Sequence, residues 1–490
     1  MRLRQRAFWV LAILTLAIGL LACGVRPSEP SPAEVPPSPA AAVETPRAPG
    51  QDDAAAQPNP PPTAGVLPLL PPPEIAKIYA LLLETYVDPI DHRMLVSAAR
   101  DGLYQHMLAD SALPLGTLPL DLLPPHSEDQ ELDFALLGNA YWTIVRWKPE
   151  WANRTRPDVA MLRAMLASLR DSHTVYTDPQ TVRRQAETSF SGIGVSLTRF
   201  TEDGPLIVME IFPNSPAERV DLRRGDRLLR VEGVVTDGME LSDVVAIVRG
   251  AEGSAVKLEV LHPGDSAPTS LEIVREQYAI ATVEARIYNP VAGGAGIGYI
   301  RIRSFARDVP EQVQAAIAGF LGSGQEIRGL VFDLRGNQGG SKEAVARVAG
   351  LFLEPDKPIG LEIDRARRQT PLFAESTLQL RPAPPLALLV NGDTSSGAEI
   401  LASALREYGY AVLVGQKTAG SVASGSTYDL PDGSQVQITA HRFVTPSGEQ
   451  LDGVGLEPDQ PVELREADLA AGTDPPLLRA LTLVYEAGTP

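Results

Sequence analysis

The chain has a single cysteine among 490 residues, Cys23, so it contains no internal disulfide and no cysteine cluster that would hold a metal. Histidine is almost as scarce, with six in all. Of these, His92, His106, His126, His262 and His441 show no ligand spacing among themselves or with acidic pairs, which excludes a zinc centre. Basic blocks are absent as well. With 43 Lys and Arg against 61 Asp and Glu, and a formal charge of -18, the chain lacks the basic stripe that a nucleic-acid partner requires. Past the first two dozen residues there is no apolar run long enough for a transmembrane helix. What the chain does have is length for roughly three domains and a 44% hydrophobic content with which to build their cores.

The amino terminus reads as an export signal. Arg2, Arg4 and Arg6 form a positive segment, "AFWVLAILTLAIGL" supplies the apolar stretch, and small residues follow. Leu20-Leu21-Ala22-Cys23 resembles a bacterial lipobox, which implies a lipoprotein signal peptide over residues 1–23 and lipidation of Cys23. An ordinary signal peptide, or an uncleaved anchor, with an incidental cysteine is the simpler alternative. A lipidated terminus would tether the protein to a membrane surface without spanning it, and the expected location is the bacterial cell envelope. From 24 to 72 the chain is dominated by Pro, Ala, Ser and Glu, a composition that predicts a disordered tether.

Beyond it the patterning changes twice. Helical spacing in "EIAKIYALLLETY", "LDFALLGNAYWTIVRW" and "DVAMLRAMLASLRDSH" predicts a helical domain over 73–185, with Trp142, Trp147 and Trp151 as core aromatics. Further on, "GIGYIRIRSF", "GLVFDLR", "LALLVN" and "YAVLVG" alternate with helical segments over 277–465, followed by a C-terminal segment over 466–490. That order predicts βα repeats and a mostly parallel sheet, with functional groups beyond the carboxyl ends of the strands. The fold class is therefore multidomain α/β.

Between these regions lies "SFSGIGVSLTRFTEDGPLIVMEIFPNSPAERVDLRRGDRLLRVEG", then the short helix "LSDVVAIVRG". Residues 186–276 resemble a PDZ domain, a small β-rich α+β module. The resemblance implies that the loop Gly192, Ile193, Gly194 and Val195 holds a peptide's terminal carboxylate, with Val244 and Val248 facing the groove.

Two strand-to-helix turns fall where a parallel sheet collects its functional groups. In "NGDTSSGAEI" a serine precedes a helix at about Gly397, beside the unpaired amides and positive end of the helix dipole. An N-cap role would explain that serine equally well. In "DLRGNQGG", Gly336, Gly339 and Gly340 allow close backbone approach, and the lysine and hydroxyl pattern of a P-loop is missing. Asp333 and Glu399 read as structural carboxylates.

Taken in order behind the PDZ region, "DLRGNQGG", "TSSGAEILASAL", "VLVGQKTAG" and "TPSGEQLDGVGLEPD" resemble the tail-specific, or carboxyl-terminal processing, serine peptidases. The likeness runs from about Pro73 onward. It implies Ser396 as nucleophile, with Ser395 the runner-up, and oxyanion donors from Gly397 and from Gly339 or Gly340. It implies no metal and no cofactor, and substrates that are polypeptides with apolar carboxyl-terminal tails. One departure matters: the lysine that serves as base in many members falls on Ser421, and Lys417 stands four residues earlier as an alternative base. The string "DSHT" resembles tricorn-type relatives, in which a histidine preceded by a serine acts as base. This pattern implies His173 as base, Ser172 as its orienting partner and Asp452 as supporting carboxylate. His173 as a hydrogen-bonding residue at the domain junction is the competing reading. The missing lysine also leaves open a non-catalytic peptide- or apolar-ligand-binding protein on the same scaffold, or an envelope scaffold that recruits another peptidase.

Overall fold

A computed structural model describes residues 69–109, 129–186, 191–201, 204–290, 294–375 and 379–488. The signal sequence, Cys23 and nearly all of the tether lie outside the described residues. Among those described, no helix is long and apolar enough to cross a membrane.

The helical region opens with Pro73–Thr85, whose Ile75, Ile78 and Leu82 fall on one face and are fully buried. His92–Ala109 packs along Pro157–Ala167, and Gly102 permits the approach: a Cβ there would lie 2.3 Å from the Ala164 Cβ. The three tryptophans divide. Trp151 is buried, Trp142 donates from its indole nitrogen to the Leu70 carbonyl at 2.9 Å, and Trp147 is 37% exposed. This core is not self-contained. Leu430, Val436 and Ile438, from far down the chain, complete it. The short strand Val175–Thr177 continues the union by pairing antiparallel with Gln435–Val444.

The next module is a twisted antiparallel sheet. Val195–Thr198, Leu206–Ile211, Arg227–Val231, Ala255–Leu261 and Thr269–Val274 are neighbours in that order, with the helix Leu241–Val248 packed against them. Arg275 is 7% exposed yet stably placed, because its guanidinium donates to the Ile247 and Val248 carbonyls at the end of that helix.

The largest element is a six-stranded sheet ordered Val283–Tyr288, Gly296–Ile302, Ile327–Asp333, Leu386–Val390, Ala411–Gly415 and Gln460–Pro461. All its pairings after the first are parallel, as the βα alternation predicts. The helices Val309–Gly322, Lys342–Ala349 and Gly397–Glu407 cover one face. The other face is closed by Pro475–Ala487, whose Ala480, Leu481 and Val484 pack on Ile297, Val331 and Leu389, so the C-terminal segment belongs to this core. A second, antiparallel sheet joins Gln435–Val444 to Pro358–Asp364 and Ala423–Asp429, as well as to Val175–Thr177. It carries the segment before the PDZ-like module toward the loops of the parallel sheet.

Candidate active site

The strand Leu386–Val390 ends in a turn fastened on both sides. The Thr394 hydroxyl donates to the Leu334 carbonyl at 2.9 Å, and the Ser395 amide donates to the Asn337 carbonyl at 2.9 Å. On the opposite side, the Ala419 amide donates to the Thr394 carbonyl at 3.0 Å. Between these ties Ser396 adopts φ 53° and ψ -123°, outside the left-handed helical well. A non-glycine residue held there costs of order 1–3 kcal/mol and persists only where its surroundings enforce it. The result is a sharp strand-to-helix elbow at this residue. Ser396 stands at the N-cap of Gly397–Glu407 and forms a capping box with Glu399, but a cap alone does not require its positive φ.

Glu399 supplies the enforcement. Its carboxylate is fully buried and accepts from the Thr418 hydroxyl and from the amides of Gly420 at 2.9 Å, Ser421 at 2.9 Å and Ser396 at 3.2 Å. Burial raises its pKa, and these donors oppose the rise. The Ser396 amide also donates to the Ser421 carbonyl at 2.8 Å. Glu399 thus staples the elbow to the 418–421 loop. The signal for it was present in the sequence as a serine followed three residues later by glutamate.

The glycine turn closes the other side. At Gly339, with φ 90°, a Cβ would stand 2.6 Å from the Gly397 nitrogen and 3.0 Å from the Ser396 hydroxyl oxygen, so only glycine fits. The expectation that Gly339 donates to an oxyanion is corrected: its N–H is already committed to the Asn337 side-chain oxygen at 2.8 Å. Gly340 and Gly397 keep amides that bond to no acceptor among the described residues. A Cβ on Gly397 would lie 3.5 Å from the Gly340 nitrogen, so the two donors border one space. Asn337, which fixes this turn by donating to the Ile302 carbonyl at 2.8 Å, carried no readable signal.

His173 arrives from the other sheet. Asp171 accepts from the His173 amide at 2.9 Å and from the Thr174 hydroxyl at 2.7 Å, and the Thr439 amide donates to that hydroxyl at 3.1 Å. The imidazole Nε2 lies 3.0 Å from the Ser421 hydroxyl and 3.3 Å from Asp452 Oδ1. Hydrogen bonding to Asp452 raises the His173 pKa above its ordinary value, with burial opposing; the same contact lowers that of Asp452. Asp452 is held in turn by the Val422 amide at 3.2 Å. Two other expected residues lie elsewhere. Ser172 is exposed, and the hydroxyl hydrogen-bonded to the imidazole is that of Ser421 instead. Lys417 points outward, with a half-exposed ammonium 2.8 Å from Glu457, and so is ruled out as the base.

In the PDZ-like module, a groove of about 990 Å³ is lined by Gly192, Ile193, Gly194, Val195, Val245 and Val248. Val244, expected to face it, is fully buried in the module's core, because the helix turns that face inward; Val245 takes its place. Residues from outside the module also line the groove, among them Tyr278 and Gln338. Tyr278 stacks on Phe212, with ring centroids 6.3 Å apart. Gln338 is the direct neighbour of Gly339, so the groove reaches the turn beside Ser396.

The chain resembles known proteins. Residues 207–261 match the PDZ domain model, and residues 296–462 match that of peptidase family S41. The carboxy-terminal processing protease CtpB of Bacillus subtilis is 31% identical over 335 residues, covering 67% of this chain and 68% of that protein. The chain belongs to the S41 peptidases. It is a serine-type peptidase of the carboxy-terminal processing kind. The carboxyl-terminal-processing protease of Synechocystis is 30% identical over 317 residues, covering 64% of this chain and 73% of that one. Among solved structures, the photosystem II D1 C-terminal processing protease aligns with a TM-score of 0.50 at 25% identity, over 79% of this chain and 92% of its own. A putative S41 protease from Bacteroides fragilis shares the fold, with a TM-score of 0.51 at 18% identity, over 84% of this chain and 96% of its own.

Proposed function

We propose that this S41 peptidase cleaves polypeptides through an acyl-enzyme on Ser396, with His173 as base and Asp452 as the carboxylate that supports the imidazolium. The observation that carries this reading is the backbone of Ser396: a serine held at φ 53° and ψ -123° beside the uncommitted amides of Gly340 and Gly397. Attack by its oxygen on a peptide carbonyl places the developing negative charge between those two N–H groups. Each such donor is worth about 3 kcal/mol in the transition state. The imidazole takes the serine proton and returns it to the leaving amine. Water then repeats the sequence to release the acyl group.

In the same reading the PDZ groove captures an apolar carboxyl-terminal tail. Val245 and Val248 supply apolar contacts and the 192–195 loop supplies amides for the terminal carboxylate. Export and lipidation at Cys23 would hold the enzyme at the cell envelope; the sequence of residues 1–23 supports this. The decisive experiment is hydrolysis of an unfolded protein with an apolar tail by the wild type, Ser396→Ala and His173→Ala. Both variants are expected to lose turnover, and a fluorophosphonate or β-lactone probe is expected to label Ser396. Turnover in Ser396→Ala rejects the nucleophile; turnover in His173→Ala rejects the base.

A further inference from the structure

Among the described residues the Ser396 hydroxyl is hydrogen-bonded to neither the His173 ring nor the Ser421 hydroxyl, but the Ser396 backbone and the imidazole both meet Ser421. Ser421 accepts the Ser396 amide through its carbonyl at 2.8 Å and meets His173 Nε2 through its hydroxyl at 3.0 Å. Its own amide is fixed by Glu399 at 2.9 Å, so all three of its polar groups are committed to this site. A hydroxyl can donate one hydrogen bond and accept another at the same oxygen. With Nε2 unprotonated, the Ser421 hydroxyl donates to it and leaves a lone pair on its oxygen able to accept from a further donor.

We propose that Ser421 carries the proton between Ser396 and His173. As the Ser396 oxygen bonds to the carbonyl carbon, its proton passes to the Ser421 oxygen, and the proton of Ser421 passes to His173 Nε2. The carbonyl π pair moves onto the oxygen facing Gly340 and Gly397. When the tetrahedral species collapses, the C–N bond breaks and the two transfers reverse, so the leaving amine receives one proton. Ser421 ends as it began, and the imidazole is neutral again. Deacylation follows the same route, with water in place of Ser396. Asp452, 3.3 Å from Nε2, stabilises the imidazolium present between the two halves.

This inference rests on Ser396 and His173 as nucleophile and base, and its test separates the two. Single-turnover acylation is measured with a fluorogenic peptide carrying an apolar carboxyl end, in mixtures of H₂O and D₂O. The wild type is expected to give a curved, two-proton inventory. Ser421→Ala should acylate about 100-fold more slowly with KM nearly unchanged and a linear inventory, and Ser421→Thr, which restores a hydroxyl, should recover most of the rate and the curvature. Melting temperatures of all three identify any variant that fails to fold. A linear wild-type inventory overturns the relay, and so does a Ser421→Ala variant as fast as the wild type while His173→Ala is inactive. Activity in His173→Ala instead strikes the underlying assignment of the base.

Discussion

His173 and Ser421 stand 248 residues apart in the chain and 3.0 Å apart in space. The helical region and the loop after Ala411–Gly415 meet there because Val175–Thr177 adds an edge strand to the antiparallel sheet. Any change that loosens that edge withdraws the imidazole while the parallel sheet remains intact.

The strain at Ser396 is separable from its chemistry. Ser396→Gly and Ser396→Ala should both abolish hydrolysis. The glycine variant alone relieves the positive φ, and it is expected to melt higher than the alanine variant, by the equivalent of about 1 kcal/mol. Differential scanning calorimetry of the pair measures this.

Activity should depend on pH through His173, whose folded pKa is raised chiefly by Asp452. The base must be neutral to accept a proton, so kcat/KM should fall on the acid side through an apparent pKa above the ordinary histidine value. Asp452→Asn removes the leading cause and leaves burial, which acts the other way; the limb should move to lower pH and kcat should drop. For stability the sign is reversed. The pair stabilises the folded chain while His173 is protonated, and that contribution fades as pH rises through its raised pKa. Rate profiles and melts across this window test both statements.

Glu399 should prove structural in origin and catalytic in consequence. Glu399→Ala leaves the amides of Ser396, Gly420 and Ser421 without this acceptor in a buried site, at a cost of about 3–5 kcal/mol. Glu399→Gln keeps the shape and part of the acceptor set, so it should fold better and still turn over slowly. Chemical denaturation alongside single-turnover rates distinguishes the two losses.

The glycines of the two turns should differ in tolerance. Gly339→Ala drives a methyl to within 2.7 Å of the Ser396 Cβ at φ 90° and should eliminate activity. Gly336→Ala meets nothing within 4 Å and bears only its φ of 74°; the cost should be about 1 kcal/mol, with activity retained. Melting curves and turnover of the two variants give the contrast.

Adjacent valines make a matching pair in the PDZ-like module. Val245→Ser, in the groove, should weaken binding of a peptide with an apolar tail and raise KM without lowering the melting temperature. Val244→Ser, in the core, should cost about 2–3 kcal/mol and unfold the module first. Fluorescence anisotropy with a labelled tail peptide and thermal melts read the two effects.

The sequence by itself determined the local order. Apolar periodicity marked the helical region and the strands of the parallel sheet, and the glycine and serine turns stood where such strands end. The serine at the start of Gly397–Glu407 was legible because strand, turn and helix are neighbours in the chain. Its partners were not. The antiparallel sheet that brings His173 to Asp452 joins strands hundreds of residues apart, and no local pattern encodes that register. Fold alone decided that Ser421 rather than Ser172 stands at the imidazole, that Lys417 turns to Glu457, and that Gly339 spends its amide on Asn337. Periodicity and turn chemistry are properties of adjacent residues, whereas a proton acceptor is selected by distances that only the packed chain defines.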